Sequence, residues 1–478
     1  MNEIEDNGDL FDFGMIGLGV MGSNLLLNLA DHGFKVVGFD KNPDKTELFE
    51  SSATRGTIVK GVNTLEKMIS ILKPPRKLMM LVPAGKPVDD VISNLVPLMQ
   101  PGDIIIDGGN SHYTDTLIRI NFLKEKQLHF MGIGISGGEQ GARLGPSIMP
   151  GGDVEAYKIV APLLQAVAAK VNGKPCVAYL GKGAAGHYVK MVHNGIEYAI
   201  MQLISECYDL MHSGLGMNNE ELYTVFDQWN QGSMSSFLIE ITAEVFKKKD
   251  DKTDNFLVDM ILDKAGAKGT GKWTSQEGLD LPIPIPTIDM AVMMRNISSL
   301  RSERIRANEL YGSKTNIIDA DRDTFLSKLQ DALYLATIIS YSQGLAMLST
   351  ASRELNMEIP LNEVVNVWKG GCIIRSEMLN IFDDAFAINA GLENILLDAS
   401  IASIVKSKIL SLQHIVIQAA LYNYPLAGMM ASLNYINAYS RNSLPTNLIQ
   451  AQRDLFGAHT YQRIDADGNF HSEWVHDK

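Results

Sequence analysis

Short apolar runs alternate with longer amphipathic ones as far as residue 183. Residues 13–16, around Phe13 and Met15, read as a buried strand. Residues 20–32 repeat apolar positions at helical spacing, with Gly33 as the stop. Residues 35–39 predict the next strand, and residues 78–82, 104–106, 129–131 and 177–180 predict four more. Strands of this kind between helices predict a Rossmann-type, doubly wound parallel sheet covered on both faces. From 184 to 441 nearly every segment has helical period. Within it Trp229-Asn230-Gln231-Gly232 is echoed by Trp368-Lys369-Gly370-Gly371. The same displacement lays the helix near Lys190 over one at about residues 328–348, which predicts a helical domain duplicated from one half. Residues 442–478 are polar, with Gly457 and Gly468, and predict a tail that packs on something else. The expected class is α/β plus all-α, with parts at 1–183, 184–441 and 442–478.

Composition narrows the partners. A hydrophobic content of 46% and a charged content of 20% are ordinary for a globular chain of this length. A net charge of -13 leaves no general basic field, which argues against nucleic acid or an anionic membrane. An anionic substrate needs a local basic pocket. Cys176, Cys207 and Cys372 are scattered, with no C-x-x-C pair, so neither a disulfide framework nor a zinc site is expected. Residues 1–12 are acidic and polar, unlike a signal peptide, and no uninterrupted apolar run of about 18 residues occurs, so no membrane span is expected. A reducing cytoplasm fits.

Two segments carry chemistry. Gly17-Leu18-Gly19-Val20-Met21-Gly22 is a G-x-G-x-x-G between a predicted strand and helix, the context in which it binds a dinucleotide pyrophosphate. Asp40 ends the second strand, where a carboxylate bonds a ribose 2′-hydroxyl and repels a 2′-phosphate, favouring NAD over NADP; Lys41 partly offsets it. The second segment runs from Lys190 to Tyr198. At about 100° per residue, Lys190, His193, Asn194 and Glu197 share one helix face. Apolar residues follow (Ala199, Ile200, Met201, Leu203, Ile204), so this face is expected to be buried and each polar group to need a partner.

Three further segments complete a pattern: Ile106-Asp107-Gly108-Gly109-Asn110-Ser111, Ser136-Gly137-Gly138-Glu139-Gln140-Gly141-Ala142-Arg143, and Lys268-Gly269-Thr270-Gly271-Lys272-Trp273-Thr274. Together with the Lys190 helix and the stretch from Asn447 through Arg453 and His459 to Tyr461, they resemble the decarboxylating 6-phosphogluconate dehydrogenase family, over about Phe13 to Trp474. The resemblance implies a nucleotide domain, a duplicated helical domain and a tail that threads into a partner subunit, in a homodimer or a pair of dimers. It implies conversion of 6-phosphogluconate to ribulose 5-phosphate and carbon dioxide with reduction of NADP, and no metal. It implies that Lys190 is the general base and then the acid that steadies the enolate, and that Glu197 protonates C1. Asn110, Ser136, Gly137, Gly138, His193, Asn194 and Tyr198 match substrate positions. Lys268, Thr270 and Arg295 match residues near the substrate phosphate, and Arg453 and His459 match the pair delivered by the other subunit. Cofactor positions are Gly17 to Gly22, Asp40, Lys41, Asn42, Val82, Pro83, Ala84 and Asn110.

Departures cluster at the nucleotide. Family members usually read Asn-Arg-Thr where this chain has Asp40-Lys41-Asn42, and Val-Lys-Ala-Gly where it has Val82-Pro83-Ala84-Gly85. Gly19 stands where most have alanine. Relaxed cofactor choice or NAD preference is expected from these changes. The competing readings are another β-hydroxyacid dehydrogenase, such as one acting on 3-hydroxyisobutyrate, and a silent nucleotide-binding scaffold. The phosphate residues argue against the first; Lys190 and Glu197 argue against the second.

Overall fold

A computed structural model describes residues 10–312 and 316–474. The first nine residues of the polar start lie outside it. Seven strands form one sheet: β1 (Phe13–Ile16), β2 (Val36–Phe39), β3 (Val59–Val62), β4 (Lys77–Met80), β5 (Ile104–Asp107), β6 (His129–Ser136) and β7 (Ser147–Gly152). Their order is β3-β2-β1-β4-β5-β6-β7, parallel throughout except that β7 runs antiparallel to β6. The order in which strands are added reverses between β1 and β4, so a crevice opens at the carboxyl ends of those parallel strands.

The sheet differs from expectation at three places. β3 is Val59-Lys60-Gly61-Val62, half-buried at one edge, where Lys60 and Gly61 blunt the apolar signal. β7 contains Pro150 and two glycines, residues that argue against a strand except at an edge, which is where it lies. Residues 177–180 are not a strand; only Val177 bridges to Ile148. The sheet is therefore mixed rather than wholly parallel.

The helices that bear on function are α1 (Val20–Asp31), α2 (Tyr113–Lys124), α3 (Ala185–Asp209), α4 (Asn219–Asn230), α5 (Thr270–Asp280), α6 (Pro286–Ser299), α7 (Arg322–Glu354), α8 (Leu361–Trp368), α9 (Ala399–Leu421), α10 (Ala427–Tyr439) and α11 (Thr446–Gly457). The duplication shows as a repeated order. A long core helix (α3, then α7) is followed by a shorter one that ends at the tryptophan of its half: Trp229 near the end of α4, Trp368 closing α8. The two long helices pack together in one large apolar core. Two smaller cores fill the two faces of the sheet.

By length and composition α7 and α9 could each cross a membrane; the expectation counted uninterrupted apolar residues, whereas here polar residues punctuate apolar stretches. The apolar window of α7 is 89% buried inside the molecule, that of α9 only 22%. Leu410, Ile417 and Leu421 stand exposed on α9, and Leu448, Ile449, Leu455 and Phe456 on α11. Apolar surface of this kind marks a contact face. The tail beyond α11 folds back on itself. The buried Asp454 carboxylate accepts from Thr460 N–H (2.9 Å), Ser472 N–H (3.1 Å) and the Trp474 indole (2.7 Å), and pairs with His471 (2.9 Å).

Candidate active site

The helix expected near Lys190 is α3, and it lies directly on the sheet. A Cβ on Gly134 of β6 would stand 2.4 Å from the Lys190 Cβ, and one on Gly186 would stand 2.2 Å from the Gly132 carbonyl oxygen. No side chain fits at either place, so helix and strand approach backbone to backbone. Lys190 is 6% exposed and His193 fully buried. The Ser136 hydroxyl, at the carboxyl end of β6, lies 3.3 Å from His193 Nε2. His193 Nδ1 faces Lys190 Nζ at 3.4 Å and Asn194 Oδ1 at 3.1 Å. Nδ1 serves one of these at a time: with the ring proton on Nε2 it accepts from Lys190, and with the proton on Nδ1 it donates to Asn194. The Trp368 edge closes the imidazole from behind, 5.9 Å between centroids.

The electrostatics of this face follow from burial. Burial lowers the Lys190 pKa to about 8, against the opposing pull of Glu197 and Cys372. That shift disfavours the ammonium by roughly 3 kcal/mol. His193 is pushed well below its usual range by burial and by the Lys190 charge. Burial raises Glu197, while Lys190 and Arg295 pull it down. One helix face thus holds an amine whose proton is loosened and a carboxyl whose proton affinity is raised, both by burial.

Arg295 of α6 stacks on the Tyr198 ring at 3.5 Å and donates to the Gly266 carbonyl at 2.8 Å. Gly137 and Gly138, in the turn after β6, take left-handed φ values of 118° and 63°. Thr270 is buried in the first turn of α5, and the Thr274 hydroxyl ties that helix to the Met191 carbonyl at 2.9 Å. Lys268 is exposed just before α5. Arg453 and His459 are exposed on the tail; among the described residues, no hydrogen bond or ion pair ties either to the Lys190 face of its own chain.

A cleft at the carboxyl ends of the strands is lined by Gly19, Val20, Met21, Gly22, Val82, Pro83, Ala84 and Asn110. Its fit to a dinucleotide can be tested on the backbone. A Cβ on Gly17 would lie 2.5 Å from the Leu81 carbonyl oxygen and one on Gly22 2.0 Å from that of Gly17, whereas Gly19 faces open space. The first turn of α1 has no side-chain cap and no acidic residue, so its N–H groups are left for an anionic ligand. The loop fits a pyrophosphate. Asp40 turns back to this loop: one oxygen accepts the Leu18 N–H (2.8 Å), the other the Asn42 N–H (3.0 Å), and Lys45 lies 3.7 Å away. Lys41 is exposed, and Asn42 caps the helix that follows. Leu81, Ile135 and Trp273 also line the cleft. The first two lie at the ends of strands whose C-termini open there, a signal in the sequence; Trp273 belongs to the Lys268–Thr274 motif, whose spacing alone carries no sign of a nucleotide contact.

Residues 12–181 match the NAD binding domain of 6-phosphogluconate dehydrogenase, and residues 186–474 match the C-terminal domain of the same enzyme. A decarboxylating 6-phosphogluconate dehydrogenase of Lactococcus lactis is 45% identical, covering 97% of this chain and 98% of its own. An NADP(+)-dependent relative of Bacillus subtilis is 46% identical, with coverages of 97% and 98%. The solved 6-phosphogluconate dehydrogenase of Plasmodium falciparum, studied with NADP+ and with 6-phosphogluconate, superposes with a TM-score of 0.94 at 46% identity, covering 97% of this chain and 100% of its own. Two domain matches that meet at the start of the Lys190 helix, and likeness along nearly the full length, leave one assignment: the chain belongs to the 6-phosphogluconate dehydrogenase family.

Proposed function

We propose that this chain oxidatively decarboxylates 6-phospho-D-gluconate to D-ribulose 5-phosphate and carbon dioxide, in the cytoplasm, with reduction of NADP. The observation that carries the reading is the Lys190–Glu197 face, where burial moves an amine down and a carboxyl up beside the nucleotide cleft. The nicotinamide supplies the hydride acceptor. Lys190, neutral in part near pH 8, takes the proton of the C3 hydroxyl. The ammonium so formed stands beside the new ketone oxygen and steadies the negative charge that develops there as carbon dioxide leaves. Glu197, whose proton affinity burial raises, returns a proton to C1 of the enediol. Ser136, His193 and Asn194 hold the sugar hydroxyls and carboxylate. Arg295 and Thr270 face the phosphate, a group for which a guanidinium is well shaped, and Lys268 stands between it and the nucleotide cleft.

The partner is a second copy. The exposed apolar residues of α9 and α11 support a homodimer, and Arg453 and His459, remote from their own cleft, are then delivered to the neighbour's. The working division of the subunit is 1–183, 184–441 and 442–478. A second cofactor reading rests on Asp40 and Pro83: a carboxylate at the end of β2 and no cation at residue 83 favour relaxed choice that admits NAD. Incubation with 6-phosphogluconate and each nucleotide, following reduced-nicotinamide absorbance and carbon dioxide, tests both readings. Absence of turnover with either nucleotide sinks the first; a strong NADP preference sinks the second.

A further inference from the structure

The start of α5 lies between two ligands. Thr270 opens the helix on the substrate side, where Gly271 packs so closely on the Tyr198 ring that a Cβ there would stand 2.5 Å from it. Lys268 and Trp273, one residue on each side of that turn, reach the other way and line the nucleotide cleft. They are the residues of the helical domain among its lining. Two further contacts join α5 to the loop that carries Asn110. The His112 ring meets Trp273 edge-on, 4.9 Å between centroids at 88°. The next residue, Tyr113, donates to the buried Glu277 carboxylate at 2.7 Å, and Tyr188 of α3 approaches the same carboxylate at 3.4 Å. Trp273 and Glu277 are four apart on α5, hence on one face, and they grip two successive residues at the start of α2.

We propose that the first turn of α5 serves both ligands. Lys268 and Trp273 complete the nucleotide cleft. Through His112 and Glu277 the same turn couples nucleotide binding to capture of the sugar-acid phosphate. This rests on the dehydrogenase reading and deepens it. A nucleotide lying against Trp273 fixes the indole between itself and His112. The Trp273 backbone N–H donates to the Gly269 carbonyl at 3.0 Å, so the position of the indole sets that of Gly269 and Thr270, where the phosphate is met. His112, Trp273 and Glu277 are positioning residues here; Lys268 touches a ligand directly, its cation meeting the cofactor pyrophosphate or the substrate phosphate.

Coupling is reciprocal, so each ligand must tighten the other by one common factor. The experiment measures Kd for NADP with and without 6-phosphogluconate, and Kd for 6-phosphogluconate with and without NADP, by titration calorimetry. The proteins are wild type, His112→Asn and Trp273→Leu, with turnover recorded for each. Asparagine keeps the cap that His112 gives to α2 but removes the ring, so this variant is expected to fold. The wild type should show a common factor of about five or more, His112→Asn a factor several-fold smaller, and Trp273→Leu one near unity. A wild-type factor of one overturns the proposal. So does any variant pair that keeps the wild-type factor while losing affinity equally in both states, since the contact is then only a wall. Wild type that turns over but shows no change in the variants defeats the coupling alone; wild type that neither binds nor oxidises 6-phosphogluconate defeats the function as well.

Discussion

The two halves of the candidate site are built by opposite means. The half on α3 is made of ionisable side chains, buried and partnered within a few ångströms of one another. The half around the glycine loop is made of backbone, and the side chains that choose the nucleotide stand at its rim, with Lys41 exposed and Asp40 reaching in only to the Leu18 N–H. A buried group gains reactivity from its surroundings, so its chemistry is lost when one partner goes. A rim group acts through long-range charge in a wet setting, so its replacement shifts a preference without stopping turnover.

That contrast orders the expected effects. Replacing Lys190 by methionine keeps the buried shape and removes the base. kcat should fall by about 10²–10⁴-fold while calorimetry still detects 6-phosphogluconate. Near-normal turnover would return the helix to a structural role. Glu197→Gln should lower kcat about 100-fold with KM nearly unchanged, because the group acts after the substrate is held. A change confined to KM would instead make Glu197 a binding residue.

The rim and the tail should respond less. Arg453→Ala is expected to raise KM for 6-phosphogluconate about 10- to 100-fold, the worth of charge-assisted hydrogen bonds to a phosphate. Mixing it with Lys190→Met subunits should then restore part of the activity, if the arginine works in the neighbour's cleft; no recovery would confine it to its own. The pH profile is the next test. Lys190 titrates near 8 and must be neutral to act, so kcat/KM should drop about tenfold per unit as pH falls below that value. A flat profile from pH 6 to 8 contradicts the assignment. Smallest is the double change Asp40→Asn with Lys41→Arg, expected to move the NADP-to-NAD ratio of kcat/KM about tenfold toward NADP, the scale of one charge contact near a surface. An unmoved ratio would place nucleotide choice elsewhere.

Much of this was legible in the residues, and the reason is periodicity. β1, α1 and the glycine loop are local: apolar spacing and Gly33 define them within about twenty positions. The Lys190 face was legible because helical spacing alone aligns its four groups. β3 and β7 were not, since Lys60, Gly61 and Pro150 break the apolar signal, and their strand character comes from neighbours already in place. The run at 177–180 lies along β7, tied by the Val177–Ile148 bridge and by the Leu180 N–H to the Pro150 carbonyl, without forming a regular strand. The pairs His112–Trp273 and Tyr113–Glu277 join residues some 160 positions apart, which no local pattern encodes.

The backbone seat of α3 on β6 has a consequence for how this protein can change. Alanine at position 134 would shove the helix that bears the amine, and alanine at 186 would strike a strand carbonyl, though neither residue has an atom that takes part in the reaction. A saturation scan scored by growth should therefore reveal two silent anchors, each intolerant of even one added methyl.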